Sequence, residues 1–259
     1  MSKPVVVIVP GAWHRPQHYQ KLIEKLQEHQ YEAVGVPLPS VDAKPPLPSW
    51  EKDAQAIRDV VLKSLDAGKD VITIAHSYGG VPMGEAVKGL GKKAREEQGF
   101  KTGVTRLIYM CAVAVKEGQT FQDASKPVTE EEIQAAMRQM QAVKIEEDGT
   151  MVAGDKDLGR ELLYNRCDPK DVDVALELVG THSVGTLVVP ATTTAFKEIP
   201  STYILTENDR ALPPTIQERI IAAGEGAFAV VRCQEGHAPY LSNPAFVADC
   251  IRRAAGEKI

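Results

Sequence analysis

Apolar residues are distributed along the chain in two alternating patterns. Short, nearly continuous runs occupy Val5–Val9, Ala33–Val36, Asp70–Ala75, Val104–Ala112, Thr202–Thr206 and Ala227–Arg232. A strand covered on both faces has no polar side to alternate with, so these runs predict a parallel sheet. The segments between them, Gln17–His29, Trp50–Leu65, Gly80–Leu90, Pro213–Ala223 and Pro244–Ala255, repeat their apolar positions every three to four residues instead. Leu22, Ile23 and Leu26, then Ile57, Val60 and Val61, then Phe246, Val247 and Ile251 show that spacing, which places one apolar stripe on each helix. Strand and helix in alternation predict a doubly wound α/β fold with right-handed crossovers.

The alternation stops between residues 116 and 199, where the chain turns acidic and reads as helical near Thr129–Met140 and again near Asp171–Val179. An insertion placed after a central strand predicts a helical cap over the carboxyl edge of the sheet. The remaining residues, 1–115 and 200–259, form the expected core. The proline-rich stretch Val36–Trp50 is short and lies between two α/β units, so it reads as a fixed loop, not a linker.

Composition narrows the function. At 259 residues and 43% apolar, the chain suits one α/β domain with an insertion. A net charge of −5 offers no basic excess for a phosphate backbone, so nucleic acid is not an expected partner. The four cysteines, Cys111, Cys167, Cys233 and Cys250, have neither metal-ligand nor disulfide-framework spacing. The apolar run Val5–Val9 is too short for a signal peptide, and no run approaches the ~20 residues of a membrane span, so a cytoplasmic protein without membrane attachment is expected.

The sharpest chemical signal is Val71-Ile72-Thr73-Ile74-Ala75-His76-Ser77-Tyr78-Gly79-Gly80, a strand entering small-x-Ser-x-Gly and then a helix. This is the pattern of a nucleophile elbow with Ala75 in the first small position. A serine on so sharp a turn needs small residues two before and two after it, where the flanking backbones pass; Ala75 and Gly79 meet that need. The helix that follows aims its amides and positive dipole end at a developing oxyanion.

A hydroxyl needs a base within reach to act as a nucleophile. His14, His18 and His29 lie early in the chain, His76 faces away from the serine along the turn, and His182 lies in the insertion. His237, in the loop between the last strand and the last helix, is the expected base. The expected acid follows the preceding strand, within Glu207-Asn208-Asp209-Arg210; Asp209 is preferred because it leads into the next helix, and Glu207 is the reserve. Its role is to orient the imidazole and stabilise its charged form. A second oxyanion amide is expected from Val9-Pro10-Gly11-Ala12-Trp13-His14, pairing the Ala12 amide with that of Tyr78. Trp13 and His14 are candidate pocket residues, as are Tyr164, His182 and Phe196 in the insertion, with ordinary packing as the competing reading of each.

Taken together, Pro-Gly-Ala-Trp-His at 10–14, Ala-His-Ser-Tyr-Gly-Gly at 75–80, Thr-Glu-Asn-Asp-Arg at 206–210 and Gly-His-Ala-Pro-Tyr-Leu-Ser-Asn-Pro at 236–244 resemble the α/β-hydrolase family of plant methylesterases and hydroxynitrile lyases and their fungal and bacterial relatives. The resemblance spans nearly the whole chain, including Leu163–Asp171, which is similar to the plant cap. It implies a triad of Ser77, Asp209 and His237, an oxyanion hole at Ala12 and Tyr78, no cofactor or metal, a small-molecule ester substrate, and pairing of two copies through their caps. The lyases of that family carry threonine where this chain has Gly11 and lysine where it has Ala238, so both positions imply an esterase. The competing expectations are a carbon–carbon lyase and a ligand-binding receptor with an idle triad.

Overall fold

The computed structural model of the protein describes residues 3–259. Its first strand, β1 (Val5–Val9), consists of five aliphatic residues, none more than 1% exposed. Val5, Val7 and Val9 point to one face of the sheet and Val6 and Ile8 to the other, and each set belongs to a different core cluster. A strand buried on both sides requires both sets to be apolar, which is why the run is continuous. In chain order there follow α1 (Gln20–Glu28), β2 (Ala33–Gly35), α2 (Glu51–Asp66), β3 (Val71–His76), α3 (Gly80–Ala86), α4 (Lys92–Glu97) and β4 (Val104–Met110).

After β4 the chain leaves the sheet. This excursion holds α5 (Phe121–Ala124), α6 (Glu130–Ala142), β5 (Val143–Ile145), β6 (Thr150–Ala153), α7 (Lys156–Leu163), α8 (Pro169–Leu178), β7 (His182–Ser183) and α9 (Ala195–Glu198). It rejoins the sheet at β8 (Ser201–Thr206), and the chain finishes with α10 (Pro214–Ala223), β9 (Phe228–Cys233), α11 (Pro239–Ser242) and α12 (Pro244–Ala254). Of the excursion's helices, α6 and α8 lie where the sequence predicts helix, near Thr129–Met140 and Asp171–Val179, whereas α5, α7 and α9 fall outside those two stretches. The small antiparallel sheet β5-β6-β7 does not follow from the sequence pattern, because strands of two to four residues are too short to show a period.

The main sheet has six strands in the order β2-β1-β3-β4-β8-β9, every neighbouring pair parallel. Helices cover both faces. Ile57 and Val61 of α2 and Met83 of α3 pack on one, and Leu22 and Leu26 of α1 with Val247 and Ile251 of α12 pack on the other. Each such side chain contributes about 1.5–3 kcal/mol through burial. The chain moves one way from β1 to β2 and the other way from β1 to β3, so the order reverses between β1 and β3. A crevice opens at such a reversal beyond the carboxyl ends of the strands, which is where α/β sheets bind ligands. Among the described residues, no helix is long and apolar enough to cross a membrane.

Candidate active site

Ser77 stands at the carboxyl end of β3, beside that reversal. β3 ends at His76, residues 77–79 form a single 3-10 turn, and α3 begins at Gly80. Ser77 has φ 53°, a left-handed conformation that costs a side-chain-bearing residue about 1–2 kcal/mol. The neighbouring glycines make the turn feasible. A Cβ on Gly79 would lie 2.5 Å from the Pro10 carbonyl oxygen, and one on Gly80 2.4 Å from that of Val113. The end of β1 and the residues after β4 therefore pass against the elbow too closely for any side chain. Gly11 is equally confined, since a Cβ there would lie 3.1 Å from that of Ser77. That contact fixes the loop after β1 beside the serine.

The loops after β8 and β9 converge from the other side. His237 is 3% exposed, and its Nδ1 lies 2.8 Å from Asp209 Oδ2. Asp209 is gripped at both oxygens: Oδ1 accepts from the amides of Ala211 and Leu212, each at 2.8 Å, and Oδ2 from Thr206 Oγ1 at 2.9 Å and Gln217 Nε2 at 3.2 Å. The two amides open the turn that leads to α10, so the register of that turn aims the carboxylate. Glu207 points elsewhere and pairs with Arg232 on the surface at 3.0 Å.

His76 ties these loops together. Its Nε2–H donates to the His237 carbonyl at 2.8 Å, and its Nδ1 accepts from the Tyr19 hydroxyl at 2.8 Å, which in turn accepts from the Gly11 amide at 3.1 Å. One hydrogen-bonded line thus runs from the loop after β1, under the serine, to the loop bearing His237. Cys111 Sγ also donates to the His237 carbonyl, at 3.4 Å. His76, Cys111 and His237 bring potential ligand atoms within 4.8 Å of one another. Their donor chemistry is unsuited to a metal: two of the three groups are spent on a carbonyl, His237 Nδ1 on Asp209, and burial pushes the Cys111 thiol far above its usual range, away from the thiolate a metal would take.

Of the remaining predicted positions, His14 is 2% exposed and bonded to Tyr164, also buried, through Nε2 at 2.9 Å. Burial, with His18 close by, holds the His14 imidazole well below its ordinary pKa. Trp13, at φ 65°, packs partly buried with its ring 6.1 Å from that of His182. His182 lies edge-on to Tyr78 at 4.6 Å, and burial lowers its pKa to about 3. Phe196 is not brought to this site. It packs 4.9 Å from the ring of Phe228, at the start of β9, inside the core, because α9 lies alongside α3 at the sheet rather than over the crevice.

Sequence reasoning missed Asp53 as well as Tyr19. Fully buried on α2, Asp53 accepts from the Tyr78 hydroxyl at 2.6 Å and from the Ser40 amide at 2.8 Å. Burial raises its carboxyl above the usual range, against the pull of those bonds. The one signal in the sequence is an acid at a position of α2 flanked by the buried face, Ala54 and Ile57. A cleft of about 370 Å³ is lined by Arg160, Glu161, Tyr164, Asn165 and Arg210, and Ser77 is not part of its lining.

Sheet order, covering helices and the turn at Ser77 define the class. The chain belongs to the alpha/beta hydrolase family, whose model matches residues 6–250. It is 46% identical over 259 residues to the alpha/beta hydrolase nvfD of Aspergillus novofumigatus, covering 100% of this chain and 99% of that one. It is 30% identical over 264 residues to the probable hydrolase R7 of a Phoma species, covering 99% and 100%. A putative chloroplastic methylesterase 14 of Arabidopsis thaliana is 24% identical, over 90% of this chain and 66% of that protein. Among solved structures, a pyrethroid hydrolase from Sphingobium faniae superimposes with a TM-score of 0.80 at 21% identity, covering 98% of each chain, a likeness of fold.

Proposed function

We propose that the protein is a serine esterase that cleaves a small to medium carboxylic ester through an acyl-enzyme. In this reading Ser77 Oγ attacks the ester carbonyl, His237 takes the hydroxyl proton and passes it to the departing alcohol, and Asp209 orients the imidazole and stabilises its charged form. The amides of Ala12 and Tyr78 hold the oxyanion. Water, activated by the same imidazole, then releases the acid.

The observation that carries the reading is the Nδ1–Oδ2 contact of 2.8 Å between His237 and Asp209, on loops converging beside a serine held at φ 53°. A hydrogen bond from Nδ1–H to the carboxylate leaves the Nε2 lone pair as the base. Gly11 and Ala238 support hydrolysis over carbon–carbon cleavage, since neither carries a polar side chain that could steady a departing carbanion. The named relatives, a protein described as a putative methylesterase and a pyrethroid hydrolase among them, are consistent with ester substrates. The protein is proposed to work in the cytoplasm.

A fluorophosphonate probe and a panel of p-nitrophenyl esters of increasing acyl length test the reading. Stoichiometric labelling abolished in Ser77→Ala, with turnover of the shorter esters, is the expected result. Turnover of cyanohydrins without ester hydrolysis would replace the esterase by a lyase, and absence of labelling would make the site a receptor.

A further inference from the structure

Residues 12–14 are held both from within their own loop and from the excursion. The Gly11 carbonyl accepts from the His14 amide at 3.2 Å. In a trans peptide the N–H points opposite to the C=O, so this bond turns the Ala12 N–H the other way. The following peptide is fixed by the side chain of the same residue: His14 Nδ1 donates to the Ala12 carbonyl at 2.7 Å. His14 therefore holds both peptides that flank the Cα of Ala12.

We propose that His14 is a positioning residue for the oxyanion donor at Ala12, and that Tyr164, reaching in from the excursion, completes the arrangement by occupying its second nitrogen. The proposal rests on the serine-esterase reading above. A carbonyl cannot donate, so the proton must sit on Nδ1, and the Nε2 lone pair then needs a donor; the Tyr164 hydroxyl supplies it at 2.9 Å. The opposite tautomer would set the Nδ1 lone pair against the lone pairs of the Ala12 oxygen and release that peptide. With both nitrogens occupied and only 2% of the residue exposed, His14 has no atom left for substrate. It acts through the Ala12 peptide.

The excursion grips the same loop at two further points. The Gly180 amide donates to the Trp13 carbonyl at 2.9 Å, and Trp13 Nε1 donates to the Met151 carbonyl at 3.3 Å. These bonds hold Trp13 in its left-handed conformation at φ 65°. The burial that keeps the His14 imidazole neutral keeps a single N–H on it near neutral pH, as the arrangement requires.

Three variants test the proposal by steady-state kinetics on a p-nitrophenyl ester and by the rate of fluorophosphonate labelling. His14→Phe keeps a ring but loses both nitrogens; kcat should fall about 100-fold, the scale of one misplaced oxyanion donor, with KM within about threefold. His14→Asn places an amide N–H near the former Nδ1 and should recover kcat to within about tenfold of wild type. Tyr164→Phe should lower kcat several-fold with KM unchanged. If His14→Phe fails to fold by circular dichroism, the asparagine and Tyr164 variants still carry the test. A labelled, active wild type whose variants keep its kcat, an asparagine variant as slow as the phenylalanine one, or losses confined to KM would overturn the proposal while leaving the esterase reading intact. A wild type that neither labels nor hydrolyses would overturn both.

Discussion

Ser77 is held at φ 53° by what crowds around it: the Pro10 carbonyl against Gly79, the Val113 carbonyl against Gly80, and Gly11 against the serine Cβ. The elbow should therefore tolerate no methyl group at these glycines. Gly11→Ala would press a Cβ to 2.8 Å from His76 Nδ1 and disturb the line from Tyr19 to His237; kcat should fall at least tenfold, and an alanine variant with wild-type kcat would show that the loop gives way instead. Asp209→Asn removes the acceptor that fixes the His237 tautomer and should lower kcat by about 10⁴-fold on p-nitrophenyl esters with KM little changed. At this scale the turn at Ser77 and the pairing of His237 with Asp209 were legible because each residue sits at a stereotyped strand-to-loop junction. Asp53, Tyr19 and the partners of His76 were not, since their contacts join residues 25 to 161 positions apart, and nothing local encodes them.

Among the elements, the starts of α6, α8 and α12 are written in the chain. Asp168 and Asn243 accept from the first-turn amides of α8 and α12, each followed by proline at the first helical position. Thr129 and Glu132 form a reciprocal capping box at α6. Glu132 has a second role. Its side chain is 1% exposed and pairs with Arg219 of α10, so it anchors the excursion to the core. Burial alone would raise its carboxyl, but bonds from Thr215, the Val128 amide and Arg219 outweigh that and hold it at about 2. Glu132→Ala should destabilise the protein by about 1–3 kcal/mol. Because the loss is local, amide hydrogen exchange in α6 should rise more than in β3; uniform acceleration would contradict this role. The strands β5, β6 and β7 escaped the sequence reading for the reason that makes them fragile, being two to four residues long.

The molecule as a whole has a sheet buried on both faces and buried imidazoles, those of His14, His18, His76 and His182 among them. His14, His18, His76 and His182 all have folded-state pKa values below the ordinary one, burial being the largest cause in each. Unfolding exposes them to water, where they bind protons below about pH 6.5. Between that value and their lower folded values the unfolded chain carries more protons, so stability falls as pH falls, by up to about 1.4 kcal/mol per pH unit for each histidine. Melting temperature should drop steadily from pH 7 to pH 5, and His182→Gln should flatten the slope; a constant Tm over that range would refute this account. Glu132 and Glu257, both held at about 2, add their own loss only at more acid pH, below about 4.5.

Because the excursion leaves after β4 and returns at β8, two strands that pair directly with each other, it looks like an exchangeable module, one that a relative could donate to alter substrate range. Tyr164, Gly180 and Met151 argue against treating it so. If His14 positions the Ala12 amide as proposed, a chimera that imports a foreign insert onto residues 11–15 of this chain should keep an intact sheet and still hydrolyse p-nitrophenyl esters poorly. Transplanting those five residues together with their insert is the recombination boundary that the hydrogen bonds dictate.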